Sequence, residues 1–250
     1  MKTFLCNNTP ESILTGIYEA FREPGPKDEI TLELGSAAQF SLFTEQVRVV
    51  PSYEKAIRVM DTIHDRLGYQ VHETVRGALC AASPDKAQAL FRFLYYAFHR
   101  KGNVLHELTV PCVMRVFELD RKARGEAHKL LGFVRFEEVR PGVYYSTIGP
   151  VNDVLPLIAD HFTARFNDQA FLIYDEKRRR AVVYTPGQNW YYQEGDLSLL
   201  SGTMKNSDRY EDLWKTFFDS TMIPERENRL CQRTLCPIHY RKYMLEFSPR

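Results

Sequence analysis

The chain has 250 residues, 44% of them apolar, and its 33 basic side chains nearly balance 32 acidic ones. That length buries a sizeable core, while the charge balance means that attraction to nucleic acid or membrane has to come from local patches. No run reaches the roughly 18 to 20 uninterrupted apolar residues of a membrane span, the opening MKTFLCNNTPES has no apolar h-region, and five scattered cysteines suit no secreted disulfide framework, so a soluble, cytoplasmic chain with reduced thiols is expected.

A short strand is expected over residues 3–6, followed by Thr9-Pro10, where Thr9 caps a helix and Pro10 takes its first position. Ile13, Leu14, Ile17, Tyr18 and Phe21 follow at helical spacing until REPGPK breaks the helix. Beyond it, ITLEL and SLF read as strands or irregular loop. From Ser52 the periodicity turns helical. Ala56, Val59, Met60, Ile63 and Leu67 form one stripe closed by Gly68, and Ala87, Leu90, Phe91, Leu94, Tyr95 and Phe98 form a broader one. A third helix is expected over 111–131, with Arg121, Lys122, Arg124 and Lys129 on its solvated face.

The segment 132–184 reads strand, strand, helix, strand, strand. Val134 and Phe136 alternate with charge, Pro141-Gly142 marks a turn, and VYYSTI makes the second strand of a hairpin. The helix that follows buries Ile158, Phe162 and Phe166, with His161 and Arg165 one turn apart on the adjoining stripe. A second hairpin pairs 171–174 with 181–184 across DEKRRR, whose Lys177, Arg178, Arg179 and Arg180 gather four positive charges at a loop tip. Next come Trp190-Tyr191-Tyr192, a helix around 211–220 carrying Trp214 and Phe218 as expected core residues, and a last helical stretch from Pro224 to Phe247. Trp190, in a loop after Pro186-Gly187, suits stacking on a base as well as filling a gap.

Motifs with a defined chemistry are few. There is no P-loop, dinucleotide GxGxxG, nucleophile elbow or paired CxxC, and no cysteine trio for a radical SAM cluster. Cys231, Cys236 and His239 are spaced as no common zinc site is. No metal and no cofactor is expected. Glu126 and His128, two apart on a helix, point to different sides, whereas His161 and Arg165 converge and can hold a phosphate or position a water.

Glu126-x-His128 followed by GFVRF at 132–136, HFxxRF at 161–166, IYDEKR at 173–178, PERxN at 224–228, Gln232 and HYRKYMLEF at 239–247 together resemble a bacterial family of unassigned function whose label places it in DNA metabolism. The resemblance covers most of the chain and is strongest after Arg121. It implies a gene neighbour that is a radical SAM protein and, in some relatives, fusion to a uracil-DNA-glycosylase-like domain. Together these point to a part in DNA repair or modification.

The expected fold is α+β: a helical middle region plus a small antiparallel sheet flanked by C-terminal helices. It is read as one unit over 1–250, with 1–50 mixed α/β, 51–131 helical, 132–185 the sheet with one helix and 186–250 helical. The expected function is that of a DNA-metabolism accessory protein that binds DNA or a DNA-processing partner. Its nucleic-acid contacts are Arg135, His161, Arg165, Lys177, Arg178, Arg179, Arg180 and Trp190. The alternative is an enzyme acting on a DNA base or nucleotide, with His161, Arg165, Glu126 and Asp175 as participants.

Overall fold

The computed structural model describes residues 1–35, 44–100, 104–197, 209–221 and 228–247, and its fold is α+β. It divides by packing into two compact units, Met1–Arg124 and Gly125–Arg250.

In the first unit a three-stranded parallel sheet has the order β2-β1-β3, with β1 at Lys2–Cys6, β2 at Ile30–Leu34 and β3 at Glu45–Arg48. Parallel pairing on both edges buries the centre strand, which is why Phe4, Leu5 and Cys6 run apolar without alternation. ITLEL is thus a strand, whereas SLF lies outside the described residues. Helix α1 (Pro10–Arg22) starts where Thr9 Oγ1 accepts from the Ser12 N–H, and it lays Ile13, Ile17 and Ala20 on the sheet. Gly16 lets it approach: a Cβ there would lie 2.5 Å from Cys6 Sγ.

Helix α2 (Tyr53–Leu67) is capped by Ser52, whose Oγ accepts from the Lys55 N–H, and ends at Gly68, whose φ of 87° is the left-handed conformation a helix stop requires. Ser52 also joins α1, since its N–H donates to Thr15 Oγ1 over 3.0 Å. Helices α3 (Tyr69–Cys80) and α4 (Lys86–His99) follow, and α4 contributes Leu90, Phe91, Phe93 and Leu94, all fully buried and each worth about 1.5–3 kcal/mol of burial. Helix α5 (Pro111–Phe133) runs two residues further than its sequence pattern, through Gly132 and Phe133.

The second unit holds a five-stranded sheet in sequence order, β4 (Glu137–Arg140), β5 (Val143–Ile148), β6 (Ala170–Asp175), β7 (Arg180–Tyr184) and β8 (Tyr191–Glu194). Three neighbouring pairs are antiparallel but β5 and β6 are parallel, which corrects the expected antiparallel sheet to a mixed one. The reason is the connection. Helix α6 (Leu155–Arg165) carries the chain back across one face, so the strand after it runs the same way as the strand before. The first hairpin also begins later than expected. Because α5 continues to Phe133, Val134 and Phe136 pack under the sheet ahead of β4.

One face of this sheet, with Tyr144, Ile148, Phe171, Ile173, Val182 and Tyr184, forms the core against Ile158, Ala159 and Phe162 of α6. Tyr145, Tyr174 and Ala181 form a smaller cluster. Helix α7 (Arg209–Thr221) precedes two short helices, α8 (Arg229–Leu235) and α9 (Ile238–Arg241), where one helical stretch had been expected; Pro237 divides them. Trp214 is not in the core: it is 38% exposed, with the Arg135 guanidinium 5.3 Å from its ring. Among the described residues no helix is long and apolar enough to cross a membrane.

Candidate nucleic-acid surface

The basic tip at Lys177 to Arg180 is the strongest charge feature of the second unit, and each of its side chains has a different standing. Arg178 donates to Asp175 Oδ2 at 2.8 Å and to the carbonyls of Pro150 and Val151. Asp175 has no exposed surface and also accepts from the Lys177 and Arg178 N–H groups, so the pair locks the β6–β7 turn to the loop before α6. Burial pushes the Asp175 carboxyl above the usual aspartate range, and the Arg178 charge offsets only part of that. Pulling Arg178 onto a phosphate would strand a buried carboxylate.

Arg180 is similarly held, at 2.5 Å from Asp153 Oδ2 with both side chains largely covered, and its guanidinium lies 4.5 Å from the Tyr192 ring centroid. Arg135 binds Glu246 at 2.7 Å, and the Glu246 side chain is only 3% exposed. Burial raises the Glu246 carboxyl, yet Arg135 and nearby donors overcome this and hold it below the usual glutamate range. Arg135, Arg178 and Arg180 are therefore committed to the fold.

Of the remaining members of the expected set, Lys177, Arg179, His161 and Arg165 are open, whereas Trp190 is half-buried against the core of the second unit. Lys177 is exposed, and Arg179, at φ 51°, pairs with Asp196 at 2.7 Å in a pair exposed enough to exchange readily for another anion. His161 and Arg165 are exposed on α6, with the His161 ring edge-on to Phe162. Trp190 donates from Nε1 to Asp160 Oδ1 at 2.8 Å, which sets the indole beside the His161 turn of that helix.

What the sequence pattern missed is β8. It is an edge strand with all four residues exposed, Tyr191 by 50% and Tyr192 by 38%, and it pairs with β7 through Val183 opposite Tyr191 and Arg180 opposite Glu194. The register puts the hairpin tip at one end of β8 and Trp190 at the other, with Trp190 5.3 Å from Tyr192 edge-to-face. An aromatic strip thus runs along the sheet edge, Trp190 and Tyr192 on one face and Tyr191 on the other, with Lys177 and Arg179 at one end and His161 near the other. Three consecutive aromatics without apolar alternation were the available signal for an edge strand. Asp160, Glu194 and Asp196 keep the strip from being uniformly positive.

Of the proposed acid/base participants, the two carboxylates, Glu126 and Asp175, are saturated. Glu126, 7% exposed, accepts from the N–H of Val151 and of Asn152 at 2.7 Å each, from Asn152 Nδ2 at 2.6 Å and from the Tyr240 hydroxyl. Burial pushes this carboxyl up, but Tyr240 and the other donors outweigh it and leave it below the usual range, while burial and the carboxylate raise the Tyr240 phenol. Glu126 therefore holds α5 to the loop before α6. Of the three soft ligands noted in the sequence, Cys231 is exposed and Cys236 lies half-buried with its Sγ 3.6 Å from Met244 Sδ. Among the described residues no three His, Cys, Asp or Glu side chains gather as metal ligands.

No curated protein and no solved structure matches the chain. The family model described as a domain of unknown function, DUF4130, matches residues 84–246, which is more than half of the sequence. The long helix, the mixed sheet and the paired buried carboxylates all lie within that match, and the chain belongs to the DUF4130 family.

Proposed function

We propose that this protein binds single-stranded DNA along β8 and so serves DNA metabolism as an accessory factor, with chemistry supplied by a partner. The observation that carries this reading is the edge strand with the exposed Tyr191 and the partly covered Tyr192 on it, flanked by Trp190 and by the exposed cations Lys177 and Arg179. Aromatic side chains on an open strand suit unpaired bases, whose faces are accessible only when unstacked from a duplex. The resemblance to proteins of DNA metabolism supports the choice of DNA, and a radical SAM protein is the partner class it implies.

The mixed charge of the strip sets the expected energetics. With acidic Asp160, Glu194 and Asp196 nearby, few phosphates are neutralised, so the salt dependence is shallow and stacking dominates. The test is anisotropy of labelled single-stranded, double-stranded and uracil-containing DNA at several salt concentrations. The expected order is single strand above duplex. Tyr191→Ala with Tyr192→Ala should weaken the single strand by about 1–3 kcal/mol per stacked base, and Lys177→Ala with Arg179→Ala should lower the salt slope by about one to two ions. Failure of the wild type to bind any probe at low salt refutes the proposal.

A further inference from the structure

Unpaired positive charge gathers in the first unit, at a cavity of about 390 Å³ between α1, α2 and α4. Its apolar lining is Ile17 and Phe21 from α1, Val59 from α2 and Phe98 from α4, with Phe21 and Phe98 edge-to-face at 5.8 Å. Three arginines stand around it. Arg22 donates to the Tyr18 hydroxyl at 3.0 Å, and Arg66 lies over the Phe98 ring at 5.2 Å. Among the described residues neither has a carboxylate within ion-pair distance. Arg58 reaches Glu54 only at 3.5 Å, in a pair with both side chains largely exposed. His99 completes the rim: its Nδ1 donates to the Tyr95 carbonyl at 2.7 Å, so Nε2 is the atom left for a ligand.

The contrast with the second unit is what gives this arrangement meaning. There, Arg135, Arg178 and Arg180 are each spent on a shielded carboxylate, whereas here two acids of the α1 side are engaged by lysines: Glu19 binds Lys55 and Glu23 binds Lys2. Tyr18 shows the local field, since the Arg22 hydrogen bond draws its phenol below the usual tyrosine range. Arginine is well suited to hold phosphate or carboxylate with several N–H groups at once. A guanidinium already stacked on a ring keeps its edge donors free for that purpose.

We propose that this cavity binds an organic anion with a flat aromatic body, of nucleoside-monophosphate size. The body lies against Phe21 and Phe98, and the phosphate sits among Arg22, Arg58 and Arg66. Its volume lies within the range of small-molecule sites, and aromatic walls favour a planar ring over an alkyl chain. The choice of a nucleotide rests on the DNA-metabolism reading above. A free monophosphate and the 5′-phosphorylated end of a DNA strand present the same chemistry.

Sequence periodicity held the signal, unread: Tyr18 and Arg22 are four apart on α1, and Arg58, Thr62 and Arg66 form a stripe at the same spacing on α2.

Calorimetric titration of the full chain with thymidine 5′-monophosphate, thymidine, inorganic phosphate and laurate tests the site. Saturable binding of the monophosphate is expected, at least about tenfold tighter than thymidine or phosphate alone, and Arg22→Gln and Arg66→Gln should each weaken it by about tenfold. Both side chains are on the surface, and circular dichroism verifies that the variants fold. Absence of saturable monophosphate binding, equal binding of thymidine, or binding unchanged in both variants overturns the proposal, as does laurate binding tighter than the nucleotide. A 5′-phosphorylated oligonucleotide gaining affinity over its 5′-hydroxyl form, in an Arg66-dependent way, identifies the strand end as the source; equal affinity identifies the free nucleotide. Tyr191→Ala with Tyr192→Ala separates the two proposals: loss of strand binding with monophosphate binding intact supports both, and monophosphate binding by a wild type that binds no strand refutes the β8 reading alone.

Discussion

Replacing Glu126 tests most directly whether the second unit is held by a buried carboxylate or merely contains one. Glu126→Ala would leave the Tyr240 hydroxyl and the Val151 and Asn152 N–H groups without their acceptor in a site that is 7% exposed. A buried donor left unsatisfied costs about 1–3 kcal/mol, reduced where water follows into the gap, so a loss of about 3–5 kcal/mol is expected. Glu126→Gln keeps the shape but turns an NH2 group toward donors, and should cost about half as much. Urea denaturation followed by tryptophan fluorescence reads this unit alone, because both tryptophans, Trp190 and Trp214, lie within it. The pH dependence has a definite sign. With its folded pKa lowered, the carboxylate contributes stability that is present above the ordinary glutamate range and lost as pH falls through the folded value. The gap between wild type and Glu126→Gln should therefore hold from neutral pH down to about pH 5 and narrow below that, as pH falls past the ordinary glutamate range toward the folded value. A Glu126→Gln variant within about 0.5 kcal/mol of wild type at neutral pH, or a gap that does not change with acid, would refute the reasoning.

The two kinds of arginine pair should separate cleanly in the same assay. Arg135→Met, which strips the shielded Glu246 of its partner, should cost about 3 kcal/mol, while Arg179→Gln, from an exposed pair, should stay within about 1 kcal/mol of wild type. Gly77→Ala should destabilise the first unit by about 1–3 kcal/mol despite alanine's better helix propensity. A Cβ there would lie 1.8 Å from Asp120 Oδ1, in the group formed by Asp120, Arg124 and Glu73; circular dichroism during thermal unfolding measures the effect. Thiol labelling followed by mass spectrometry should find Cys231 modified first in the native protein. Cys6, fully buried and with its thiol pushed up to about 12 by that burial, should react only on unfolding.

Signals confined to a few residues were legible in the sequence. Thr9-Pro10 and Ser52 start helices, Gly68 stops one, and Pro141-Gly142 turns a hairpin, because capping and left-handed backbone are local requirements. The parallel pairing of β5 with β6 was not legible, since alternation along a strand looks the same whichever way its neighbour runs. Edge strand β8 was missed because exposure on both faces removes the apolar alternation by which strands are found. As for the site, the Lys177 to Arg180 run marked a real concentration of charge, but not that Asp175, Asp153 and Asp196 neutralise three of its members. Asp175 stands three residues before Arg178 in the same turn, but Asp153 and Asp196 arrive through tertiary folding, as do the two helices whose arginines converge on the cavity of the first unit.

The place of β1 in its sheet also sets an order of events during synthesis. It emerges from the ribosome before both of its neighbours, yet it is the middle strand, and those neighbours are complete only when Leu34 and then Arg48 have been made. Through that interval Phe4, Leu5 and Cys6 are an unpaired apolar edge on both sides, the kind of segment that invites association with other chains. A substitution that slows synthesis or release of the stretch up to Arg48 should therefore lower the yield of soluble protein without changing the stability of the finished fold.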